Sequence, residues 1–115
     1  MTPKVQLTVQ GHLRSVQIEA IIDTGFVGTL CLPMDVAKWI GTQIAGWGQI
    51  RLADGSETRA PLVFCDVEIL GRSSRLEAFV IKEYGDAIIG TELLEGCQLT
   101  LDFDSGSVQL KRKEP

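Results

Sequence analysis

Apolar residues recur at every second position through the first part of the chain. Val5, Leu7 and Val9 form one series, Val16, Ile18, Ala20 and Ile22 another, with Gly11 and His12 between them. A period of two places alternate side chains on one face of an extended strand, and two such runs joined by a glycine-bearing turn predict a β-hairpin. The same pattern continues downstream. A short apolar strand is expected over residues 29–32, ending at Pro33, and MDVAKWI (Met34–Ile40) has the spacing of a short helix closed by Gly41. Residues 43–53 read as a strand loosened by Gly46 and Gly48, and Ala53, Asp54, Gly55 and Ser56 supply an Asp-Gly hairpin tip. A long returning strand over residues 57–70, an alternating strand over 75–82, an EYGD turn and a brief apolar strand ending in Ile88, Ile89 and Gly90 follow. Thr91 is placed as the N-cap of a second short helix, and a last hairpin folds residues 98–103 and 108–111 around DSGS.

No repeat, low-complexity tract or linker interrupts the 115 residues, and 44% hydrophobic content suffices for one core. The expectation is one domain over residues 1–115, mostly β, a small closed or nearly closed barrel with one or two short helices. The formal charge of -4, with 15 acidic against 11 basic residues, and basic residues scattered except for Lys111, Arg112 and Lys113, argue against a nucleic-acid partner. With neither a signal-like start nor an apolar run near the roughly 18 residues of a membrane span, no membrane association and a cytoplasmic location are expected. Cys31, Cys65 and Cys97 are odd in number and far apart, so each is read as a buried thiol. The single histidine, His12, leaves no metal pair and no base for a Ser or Cys nucleophile, so neither metal nor cofactor is implied.

The chemistry concentrates in AIIDTGFVGTLCLP, residues 20–33. An apolar strand stops on Asp23, and Thr24 and Gly25 follow before the apolar run resumes. A carboxylate that handles protons in a water-poor cleft must be held rigidly, and the end of a buried strand does this. Gly25 lets the backbone turn and bring an N–H toward the carboxylate, and Thr24 offers a hydroxyl to lock the loop. Together with the central hairpin tip and Ile88-Ile89-Gly90, this arrangement resembles the single-lobed, retropepsin-like aspartic proteases, in a form closer to free-standing prokaryotic members than to viral ones. The resemblance runs over nearly the whole chain.

It implies Asp23 as the catalytic residue, Thr24 and Gly25 as loop-defining, Ile89 and Gly90 as its support, and Ala53, Asp54, Gly55 and Ser56 as a flap over a peptide substrate. Such enzymes need two facing aspartates sharing a proton. Asp104-Ser105-Gly106 is a permitted variant of the motif, but only residues 107–115 follow it, and Asp and Gly there suit a hairpin turn. The resemblance therefore implies a homodimer with Asp23 contributed twice, acting as an aspartic endopeptidase on an extended, mostly apolar peptide. The alternatives are a silent module of the same fold that dimerises or binds peptide, and a structural barrel in which Asp23 is a turn residue. Three departures stand out: Phe26 where many relatives have a small residue, able to narrow a subsite or to fill the core; Thr91 and Glu92 where retroviral enzymes carry Arg; and a basic C-terminal segment. Trp39 and Trp47 are expected to be packing residues rather than substrate contacts, with Trp47 able to line the cleft if its strand is the flap arm.

Overall fold

The computed structural model describes residues 1–51, 55–82 and 85–113. Its elements are β1 (Lys4–Gln10), β2 (Ser15–Ile22), β3 (Leu30–Pro33), α1 (Met34–Ile40), β4 (Ile44–Arg51), β5 (Glu57–Ile69), β6 (Arg72–Ile81), β7 (Ala87–Ile89), β8 (Cys97–Asp102) and β9 (Ser107–Arg112). The chain is mostly β, as its periodicity predicts. Strands β1, β2, β7, β3, β6 and β5 hydrogen-bond in that order, and β1 pairs with β5 to close the ring, so the barrel has six strands. Closure removes the open edges that an apolar sheet of this length would otherwise present. β4 hangs from β5 as the other arm of the central hairpin, and β8 and β9 form a separate two-stranded sheet.

Strand parity divides the apolar residues into two cores. Inward-facing Leu7, Val9, Leu30, Leu32, Val63, Val67, Ala78 and Ile89 fill the barrel. Burial of each larger aliphatic side chain contributes roughly 1.5–3 kcal/mol. The wall made by β7, β3 and β6 is apolar on its outer face as well. Cys31 lies beside Phe79 of β6 and Ile88 of β7 in the strand register. With Phe26, Ile50, Ala60 and Ile81, these three form a second cluster outside the barrel. Two buried faces explain why LCLP and AII read as continuous apolar runs without alternation.

Helix α1 has no side-chain cap at Pro33, and Gly41, at φ 83, ends it. Its C-terminal carbonyls are satisfied from the β1–β2 loop. Leu13 and Arg14 N–H donate to the Ile40 carbonyl at 3.0 and 3.1 Å, His12 N–H donates to that of Gly41 at 2.9 Å, and the Arg14 guanidinium donates to that of Trp39 at 2.7 Å. Trp39 is not a packing residue as expected. It is 56% exposed, with Arg14 stacked 4.1 Å from its ring centroid. Trp47, 55% exposed, likewise lies on the surface, near Arg59. Cys31 and Cys65 are buried, as read from the sequence, whereas Cys97 is only half-buried.

The second helix expected at Thr91 does not form. Residues 91–96 make consecutive turns, with Leu93 N–H donating to the Gly90 carbonyl and Leu94 N–H to that of Thr91. The amides of Thr91 and Glu92 are drawn instead to the Phe26 and Gly28 carbonyls, both at 3.0 Å. Gly96, at φ 79, stops the segment before a helical ladder can be built.

Candidate active site

Asp23 is the first residue beyond β2, and its position is set by a parallel pairing that places Ile22 beside Ile89 of β7. The Asp23 N–H donates to the Ile89 carbonyl at 3.0 Å, and its own carbonyl accepts from Phe26 N–H at 3.1 Å, so the backbone is held on both sides. The carboxylate is exposed, and its Oδ1 accepts the Gly25 N–H at 2.9 Å. Gly25 is not among the residues at positive φ. Its role is close approach, since a Cβ there would lie 3.2 Å from Asp23 Oδ1. Thr24 is exposed, and its hydroxyl forms no hydrogen bond among the described residues.

Ile89 and Gly90 stand directly behind this loop. Gly90 N–H donates to the Thr29 carbonyl at 3.0 Å, and Thr29 Oγ1 donates to the Glu77 carbonyl at 2.8 Å, which ties the loop to β6. A side chain at Gly90 has no room, because its Cβ would collide with the Gly28 carbonyl, lie 2.6 Å from that of Phe26 and 2.7 Å from the Phe26 ring. Gly28 faces the same ring, with a hypothetical Cβ 2.6 Å from Phe26 Cζ. The loop from Asp23 to Thr29 is therefore stitched to residues 89–92 by four backbone hydrogen bonds, those of Asp23, Gly90, Thr91 and Glu92, and closed by one aromatic ring between two glycines.

Electrostatics link the loop to the outer wall of the barrel. The Cys31 thiol is pushed up to about 12, first by burial and second by the negative charge of Asp23. The outer-face row of Phe79, Cys31 and Ile88 therefore lies on the carboxylate's side of the barrel. Val27, in the same loop, is 77% exposed.

The remaining residues singled out in the sequence fall as follows. Of the hairpin tip, Ala53 and Asp54 lie outside the described residues. Gly55, at φ 88, and Ser56 are exposed at the end of the β4–β5 hairpin. Asp104, Ser105 and Gly106 form the β8–β9 turn, in which Asp102 Oδ1 accepts the N–H groups of Asp104 and Ser105 at 2.9 and 3.2 Å. These bonds hold the Asp102 carboxyl below its usual range. The turn is built as a turn, far in topology from Asp23. A concave space of about 540 Å³, lined by Lys4, Val5, Val108, Gln109, Leu110 and Lys111, lies between β1 and β9 and does not include Asp23. Among the described residues no three His, Cys, Asp or Glu side chains gather as they would around a metal ion, and no helix is long and apolar enough to cross a membrane. Gly28 and Thr29 are neighbours of the Asp23 loop that the sequence reading did not single out, whereas Phe26, read there as narrowing a subsite or filling the core, lies in the apolar cluster outside the barrel. The glycine at position 28, two residues after an aromatic ring, was the available signal.

A closed six-stranded barrel in which the strand leading into Asp-Thr-Gly is braced by an apolar-Gly strand is the architecture of the retropepsin-like fold. The chain adopts the retropepsin-like fold, and solved structures of that fold superpose on it over most of its length. The EIAV protease, in complex with the inhibitor HBY-793, matches with a TM-score of 0.63 at 14% identity, covering 83% of this chain and 86% of that one. A retropepsin-like aspartic protease from Rickettsia conorii matches with a TM-score of 0.58 at 17% identity over 98% of this chain and 94% of its own. In sequence, an uncharacterized protein of Archaeoglobus fulgidus is 26% identical across 95% of this chain and 93% of its length. No protein-family model matches the chain.

Proposed function

We propose that this chain is an aspartic endopeptidase that works as a two-fold symmetric homodimer, with one Asp23 from each copy. The observation that carries the reading is the presentation of Asp23: an exposed carboxylate just beyond a strand whose end buries Ala20 and Ile22, oriented by the Gly25 N–H and braced by Ile89. A structural turn would need neither the four-bond brace nor the two glycines that crowd Phe26.

Two such carboxylates about 3 Å apart cannot both ionise, so one keeps a proton. The ionised carboxylate takes a proton from a water molecule, whose oxygen bonds to the carbonyl carbon of the substrate. The protonated partner gives its proton to the carbonyl oxygen. When the tetrahedral adduct collapses, the C–N bond breaks, the nitrogen takes up a proton, and one water has become part of the new carboxyl and amine termini. The Thr24 hydroxyl, without a partner among the described residues, is available to the matching loop of the second copy. Gly55 and Ser56, at the end of the β4–β5 hairpin, fit a cover over an extended peptide.

The test is cleavage of a peptide library by purified protein at mildly acid to neutral pH, with Asp23→Asn as the comparison. Cleavage confined to the protein with Asp23 supports the reading. Equal cleavage by both proteins places the chemistry elsewhere, and binding of peptides without cleavage by either leaves a silent peptide-binding module.

A further inference from the structure

The outer face of the β7–β3–β6 wall is covered from two sides: by the arms of the β4–β5 hairpin through Ile50 and Ala60, and by the ring of Phe26. This inference rests on the reading of Asp23 as one half of a peptide-cleaving pair. We propose that Phe26 is a specificity-determining residue, its ring filling the apolar subsite beside Asp23 so that the chain accepts a small side chain next to the scissile bond and turns away large aromatic ones.

Three observations converge on it. Phe26 lies only three residues beyond Asp23 and is 9% exposed, so the ring lies in the cluster rather than in solvent. That cluster is apolar on every element that contributes to it and joins the carboxylate loop to the hairpin arms, the two elements between which the proposed function lays an extended peptide. The thiol of Cys31, in the middle of the same wall, senses the charge of Asp23, which puts the filled space within electrostatic reach of the carboxylate. The ring also has little freedom to swing aside. Gly28 and Gly90 press on it at distances that forbid any side chain, and the backbone on each side is fixed, by Phe26 N–H to the Asp23 carbonyl at 3.1 Å and by Thr91 N–H to the Phe26 carbonyl at 3.0 Å. A rigidly held ring of this kind leaves a hole when it is removed, because a close-packed surround relaxes only partly.

The experiment compares wild type, Phe26→Leu and Phe26→Ala on peptides that differ only in whether Ala or Phe flanks the scissile bond. Wild type is expected to favour the Ala peptide. Phe26→Ala should shift the ratio of kcat/KM toward the Phe peptide by about tenfold or more, with Phe26→Leu between them, in line with the discrimination that a change of a few methylenes in an apolar pocket supplies. A second arm needs no activity: toluene is titrated into each protein while the amide resonances of Gly25, Gly28 and Gly90 are followed by NMR. Shifts at these amides in Phe26→Ala and none in wild type support a filled subsite beside Asp23. Cleavage with an unchanged Ala-to-Phe ratio overturns the proposal, as does a folded Phe26→Ala protein that takes up no toluene. If no variant cleaves any peptide, the protease reading fails by itself and the toluene arm still decides whether Phe26 fills the space. Should Phe26→Ala not fold, Phe26→Leu carries both arms.

Discussion

Asp23 is held by bonds to its backbone and to one carboxylate oxygen, and this division separates chemistry from folding. Asn at the same position keeps an oxygen to accept the Gly25 N–H but cannot share a proton. On the proposed mechanism, Asp23→Asn loses activity by several orders of magnitude while thermal unfolding shows a Tm equal to or above that of wild type, since the repulsion of two facing carboxylates is gone. Gly90→Ala should do the reverse, destabilising the fold by roughly 3 kcal/mol in denaturant titration because its Cβ meets carbonyls and the Phe26 ring and cannot be accommodated. Cys31 gives a pH signature. Its thiol ionises near 12 in the folded chain against 9.0 unfolded, so above pH 9 the unfolded chain releases a proton that the folded chain retains. Stability is whole below pH 9 and falls as pH rises toward 12. Cys31→Ala should flatten that fall in pH-dependent urea unfolding, leaving the smaller contribution of Cys65, whose thiol burial pushes up to about 11. Asp-Thr-Gly and its apolar-Gly support were legible in the sequence because they are short motifs with local geometry. The Phe26 ring between Gly28 and Gly90 was not, because that contact joins residues more than half the chain apart and exists only after β2 and β7 have paired.

Among the elements, alternation located nearly every strand, and the misreadings fall where tertiary contacts outrank local pattern. The segment at Thr91 has helix-forming residues, yet its first amides are claimed by the carbonyls of the Asp23 loop, so turns replace a helix. The β5–β6 hairpin is tighter than its sequence suggests. Ile69 pairs with Arg72 across Leu70 and Gly71, at φ 53 and 77, and residues 72–74, which look like loop, belong to β6. A two-residue turn with positive φ at both positions favours Asn-Gly, and a leucine in the left-handed region costs about 1 kcal/mol. Leu70 is exposed, so little packing is lost on replacing it. Leu70→Asn should therefore raise stability by about 1 kcal/mol, read as a shift of the urea midpoint with unchanged slope. An unchanged midpoint would mean that the hairpin register, and not the turn residue, carries the strain.

At the scale of the molecule, a closed or nearly closed barrel follows from the pattern of short apolar runs, but the pattern gives neither its six strands nor how two barrels meet, because an interface between copies is written in surface residues that serve one chain equally well as solvated polar face. The proposed activity depends on that meeting. If each active site needs Asp23 from both copies, a chain carrying Asp23→Asn is an inhibitor of wild type and not merely inert, since every mixed dimer holds only one ionisable carboxylate at its axis. After subunit exchange at equal amounts, about a quarter of the dimers are wild type on both sides and about half are mixed, so activity falls to about half of that shown by the same quantity of wild type alone. A larger excess of the variant drives it toward zero. The measurement is peptide cleavage at fixed wild-type concentration against added Asp23→Asn protein, with mass in solution followed in parallel. A second signature follows from the same geometry: on dilution, specific activity falls as dimers dissociate, whereas a site complete within one chain keeps constant activity per molecule. Wild-type activity that is indifferent both to the added variant and to dilution would assign the whole reaction to a single barrel, and one carboxylate per site would then have to serve without a partner.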